Sequence, residues 1–183
     1  MKASSICKNP LGARTRNGLI VSGLLAVLLV TFEYPLFWKI GFCLPAAKLA
    51  AIFLGASCVP AIDGYRIDTP NLPVHVTLAC SAARFFVLLA CLSVATVLAG
   101  TRKAVPRNVV AVLALAYVST VAANVTRIVL GWHAENWVRH VLPSGFWSSA
   151  HAGVGIFVFL SFLVATYAFI NWRIQHGQSE RTA

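Results

Sequence analysis

Four stretches of this chain, Leu19–Trp38, Val76–Ala99, Val109–Leu130 and Phe146–Trp172, are each apolar over about the 20 residues that a helix needs to cross a bilayer. A fifth, Cys43–Val59, is marginal, because it carries Pro45 near its start, Lys48 in its middle and many small residues. Runs of this length leave too little polar surface for a soluble domain. Of the 183 residues, 58% are hydrophobic and 11% charged, with a mean hydropathy of +0.77. The expected class is an all-α integral membrane protein, with residues 1–183 forming a single membrane-embedded domain.

The net charge of +10 is a topology signal, and nucleic acid is not expected as a partner. The basic residues flank the apolar runs and make no stripe with interleaved aromatics. Arg102, Lys103 and Arg107 crowd the link between the second and third clear runs, which places that link in the cytoplasm. Arg173 and Arg181 place the C-terminus there too, and Lys2, Lys8, Arg14 and Arg16 do the same for residues 1–17. Two cytoplasmic ends require an even number of spans, so four are expected. The run Leu19–Trp38 is too long for the apolar part of a signal peptide and no small-residue cleavage site follows it, so it reads as a retained span. Trp38, Trp132, Trp137 and Trp147 then fall at the outer interface and Trp172 at the inner one. The expected location is the cell (inner, cytoplasmic) membrane.

Residues 39–75 become an extracytoplasmic segment. The marginal run reads as a helix lying in the outer interface, with the Lys48 stem reaching the headgroups. Asp63-Gly64-Tyr65-Arg66, followed by Pro70 and Pro73, signals a short hairpin-like loop with Gly64 at its turn. The five cysteines form no CxxC and no metal-ligand spacing, and neither metal nor cofactor is implied. Cys43 and Cys58 would both face the oxidising side and could pair, leaving Cys80 free.

With this topology three reactive residues reach the same membrane surface. Cys80 lies in the first turns of its run, where the helix dipole favours a thiolate, and Arg84 one turn on adds positive charge. An inert buried thiol is an equal reading for Cys80 alone, and the better one for Cys91. Arg127 is near the outer end of the third span, and Thr120, Asn124 and Arg127 share one helical face. A guanidinium at membrane depth costs a few kcal/mol unless paired or hydrated, which makes it a functional candidate; snorkelling is the alternative. His151 opens the last span, with Gly153 and Gly155 beneath it for close helix approach. Alone, such a His is more often a cap than a catalyst. Glu33, or else Asp63 or Asp68, could orient it.

Thiolate attack on a peptide carbonyl needs a base for the thiol and a fixed cation for the oxyanion. Cys80, His151 and Arg127 supply these three functions. The residues Ala79-Cys80-Ser81, Ala123-Asn124-Val125-Thr126-Arg127-Ile128 and His151 with Gly155 make the chain resemble the exosortase/archaeosortase family of membrane cysteine transpeptidases. Its short length, and Leu44-Pro45-Ala46-Ala47-Lys48-Leu49 leading to Gly55, are most similar to exosortase K. The resemblance implies that Cys80, Arg127 and His151 are catalytic. It also implies a substrate: an exported protein ending in a short motif, a hydrophobic span and a basic tail. The chain departs from the family pattern in having Ala82 where Gly is usual, Arg84 where Asn is common, and Val154 where Glu aligns.

The expected function is therefore a membrane-embedded cysteine protease/transpeptidase that cleaves C-terminal sorting signals at the extracytoplasmic face. The rival is a non-catalytic membrane assembly subunit or small transporter whose polar residues serve helix packing. Replacing Cys80 separates the two.

Overall fold

The computed structural model describes residues 22–23, 35–70, 72–77, 82–100, 106–141 and 147–179. Residues 35–54 run as one helix, α1, whose middle Lys39–Cys43 is wound as a π-turn between Pro35–Trp38 and Leu44–Leu54. Then come strands β1 (Ser57–Ala61), β2 (Gly64–Asp68) and β3 (Val74–Thr77), followed by helices α2 (Ala83–Gly100), α3 (Pro106–Val141) and α4 (Trp147–Ser179). The protein is mostly helical, and the small sheet is antiparallel in the order β1-β2-β3.

Among the described residues, three helical stretches are long and apolar enough to cross a membrane: Leu36–Leu54, Asn108–Val141 and Ala152–His176. The expected second span is shorter than the sequence indicates. Val76 and Thr77 belong to β3, and the 18 residues of α2 extend about 27 Å, just under the hydrocarbon thickness. The described residues therefore do not give the expected four long spans. Of the expected first span, all but Ser22, Gly23 and Pro35–Trp38 lies outside the described residues, Glu33 included.

The break expected after Trp38 is also absent. The helix continues through Lys39 and Gly41, so the marginal run is part of a span-length helix and its length does not mark it as interfacial. Trp38 is 4% exposed and packs on Phe42 and Ala83, so it is a core residue and not part of an aromatic belt. Pro45 has no N–H to offer the Gly41 carbonyl four residues back, and the Tyr117 hydroxyl donates to that carbonyl at 2.8 Å. Gly55, in left-handed conformation with φ 61°, closes α1: its N–H bonds to Ile52 and that of Ala56 to Ala51.

α3 is the hub, packing against α1, α2 and α4. The small residues Ala46, Ala47, Ala50 and Ala51 let α1 fit between Val121, Val125 and Ile128 of α3 and Ile67 and Val76 of the sheet. On the other side of α3, Ala116 packs with Leu89 and Ala90 of α2, and Leu163 of α4 joins them. The 36 residues of α3 run past the expected end at Leu130, with Arg139 paired to Glu135 one turn back at 2.7 Å.

The sheet lies along α1. The Lys39 ammonium donates to the carbonyls of Ala61 and Ile62 at the hairpin tip, both at 3.3 Å. At the other end, Trp132 of α3 donates its indole N–H to Thr69 at 3.2 Å and to the Leu72 carbonyl at 3.3 Å. Gly64 is not at the turn, which is made by Ile62 and Asp63; it is the first residue of β2, opposite Thr77. A side chain there would run into the Val76 carbonyl, so glycine is required by the close approach of β3. The third strand is what the hairpin expectation missed.

Candidate active site

The polar face read from the spacing of Thr120, Asn124 and Arg127 exists and points into the bundle. Thr120 and Asn124 are buried, while Arg127, one turn further on, is half-buried. Burial of Thr120 is offset by its hydroxyl donating to the Ala116 carbonyl at 2.7 Å. Lower in the bundle Thr166 of α4 donates to Ser119 of α3 at 3.2 Å. With Arg127 meeting Gly155 and Ser119 meeting Thr166, α3 and α4 run antiparallel.

Arg127 is seated on α4. A Cβ added at Gly155 would come within 3.1 Å of the Arg127 Nε. The guanidinium carbon is 5.8 Å from the centre of the Phe159 ring, one turn further along α4. Phe159 in turn stacks on Phe85 of α2, with ring centres 4.7 Å apart and planes at 26°. Arg127, Phe159 and Phe85 thus make one layer across three helices, close to the start of α2 and the first turns of α4. Gly155 makes room for the Arg127 side chain, where a close approach of helix backbones was expected. Gly153 does not, since a Cβ there would meet nothing within 4 Å.

His151 belongs to α4, one turn before Gly155, and its side chain lies outside the described residues. Cys80 lies outside them as well. The described chain leaves at Thr77, whose carbonyl accepts the Cys43 thiol at 3.5 Å, and resumes at Ala82. α2 begins at Ala83, and Ala82 has φ 54°, in the left-handed region. The expected helical register between Cys80 and Arg84 therefore fails, because Ala82 interrupts any helix between them. Arg84 is exposed. The left-handed angle falls at the position where glycine is usual in the family pattern, which gives that preference a physical cause.

Of the carboxylates considered for orienting His151, Asp68 is paired with Arg66 at 2.6 Å, both about half exposed, and Asp63 is exposed in the hairpin turn. Cys43 and Cys58 are both free thiols, Cys43 fully buried. Burial pushes the Cys58 thiol above its ordinary range, and the nearby Lys48 charge pulls it partly back. Sequence reasoning missed Phe159 and Phe85. The spacing of His151, Gly155 and Phe159 puts them on one face of a helix, but it does not say what that face meets.

These features define a polytopic helical membrane protein with a buried polar face that ends at a seated arginine. Residues 10–168 match the family model Transmembrane exosortase (Exosortase_EpsH), and the chain belongs to that family. No curated protein and no solved structure matches it.

Proposed function

We propose that this chain is a membrane-embedded cysteine protease/transpeptidase, acting at the extracytoplasmic face on exported proteins that end in a short motif, a hydrophobic span and a basic tail. Both termini are cytoplasmic in this scheme. The Cys80 thiolate attacks the scissile carbonyl, and a C–S bond forms as the carbonyl π pair moves onto oxygen. The Arg127 guanidinium stabilises that oxyanion. As the oxyanion collapses, the C–N bond breaks, and His151 passes the proton it took from the thiol to the departing amine. An acceptor amine or water, deprotonated by His151, then attacks the thioester and the thiol is restored. Glu33 is assigned to orient His151 and Asn124 to support Arg127.

The observation that carries this reading is the seat of Arg127. Arginine at this depth is expensive, yet it is held against α4 at Gly155, one turn from His151, in a layer that includes the start of α2. A snorkelling arginine would extend toward water without such a seat. The test is a co-expressed reporter fused to the C-terminal tail of a genome-mate that ends in a motif, an apolar span and a basic run. Processing should stop with Cys80→Ala and continue with Cys91→Ala. Continued processing with Cys80→Ala would reject the reading.

A further inference from the structure

Resting on that function, we infer that Phe159 and Gly155 are positioning residues that aim the Arg127 guanidinium and so determine the rate of the chemical step. A half-buried arginine on a helix has several rotamers, and a diffuse cation is a weak oxyanion stabiliser. Two contacts from α4 restrict it here. The Phe159 face attracts the guanidinium from 5.8 Å, an interaction that strengthens where water is scarce. Gly155 leaves space for the Nε, where a Cβ would stand 3.1 Å away. Phe159 is itself braced by its stack on Phe85, with ring centres 4.7 Å apart, so the seat is tied to the helix that follows Cys80. The α4 residues that meet Arg127 thus lie one and two turns below His151, and α4 would carry both the base and the seat for the cation.

The experiment uses full-length protein in detergent with the purified reporter. Phe159→Leu removes the π face while keeping an apolar side chain of useful size. The expected result is a fall in kcat of roughly tenfold to a hundredfold, the range for a misplaced catalytic group, with KM unchanged. Phe159→Tyr keeps the face and should restore most of kcat. A purely structural role would instead lower the yield of folded protein and leave kcat per folded molecule intact. Wild-type kcat in Phe159→Leu, or a rise in KM alone, would overturn the inference while leaving the proposed function standing. A wild-type protein that never cleaves the reporter would instead remove the function on which the inference rests. The seat is also read without turnover, in protein labelled with 15N-arginine. The Arg127 Nε–H resonance, assigned by its loss in Arg127→Lys, should be moved by the ring current and return toward the ordinary arginine position in Phe159→Leu. No such movement would refute the seat itself.

Discussion

The Nε of Arg127 lies 3.1 Å from the place a Cβ would occupy on residue 155, and Gly155 keeps that place empty. The arginine of α3 therefore packs against the backbone of α4 at Gly155, with its guanidinium over the Phe159 ring one turn on. A helix-interior glycine costs about 1 kcal/mol relative to alanine, so space at this point outweighs helix propensity.

Gly155→Ala should force the guanidinium to give way by a few tenths of an ångström and lower kcat on the reporter several-fold, while helix propensity alone would favour the substitution. Gly153→Ala is the matched control, since its Cβ meets nothing within 4 Å. It should gain slightly in stability and keep wild-type kcat. Equal behaviour of the two variants, measured by kcat and by thermal melting in detergent, would contradict the role given to Gly155.

Ala82 has φ 54° at the junction into α2. The left-handed conformation costs a non-glycine residue about 1–2 kcal/mol, and glycine returns up to about 1 kcal/mol of that through its looser unfolded chain. Ala82→Gly should therefore raise stability slightly, by up to about 1 kcal/mol, and Ala82→Val should lower it. Melting in detergent would show the order Gly, Ala, Val; the reverse order would place this residue in an ordinary conformation.

Tyr117 donates to the Gly41 carbonyl at 2.8 Å, in the turn where Pro45 withholds an N–H. Tyr117→Phe keeps the ring contact with Phe42, 5.3 Å between centres, and should cost about 1 kcal/mol for the lost hydrogen bond. Restoring an N–H with Pro45→Ala in the same chain should recover part of the loss. Additive losses in the double variant would refute the link between the two residues.

Burial raises the Cys58 thiol, so at pH 8 less of it is thiolate than in an exposed cysteine. In a chain retaining Cys58 as its sole cysteine, maleimide labelling should be slow at pH 8 and rise as pH passes through the elevated value. Lys48→Ala removes the charge that favours the thiolate, so the rise should move to still higher pH. A shift to lower pH would reverse the assignment of causes.

Apolar length made the helices legible in the sequence, and helix periodicity made the buried face of Thr120 and Asn124 legible below Arg127. Boundaries were harder to read where chemistry and geometry disagree. Trp38 read as the end of a span, yet α1 continues through Lys39 and Gly41, where Lys39 caps the hairpin tip and the Gly41 carbonyl has a partner in Tyr117. Val76 read as the start of a span because it is apolar, but it is apolar for its contact with α1 from β3. The third span was expected to end at Leu130, yet the helix continues to Val141, with Val138 buried and Glu135 paired to Arg139. Phe159 was hidden for another reason. An aromatic residue in an apolar helix has the same sequence signature whether it faces lipid or a guanidinium, and only the register of α4 against α3 separates the two.

In the proposed reaction Cys80 carries the acyl group, and trapping that thioester tests it. Purified full-length protein, incubated with the reporter and hydroxylamine, should release the reporter as its hydroxamate, with none released by Cys80→Ala. Hydroxamate formation by Cys80→Ala at the wild-type rate would contradict the account.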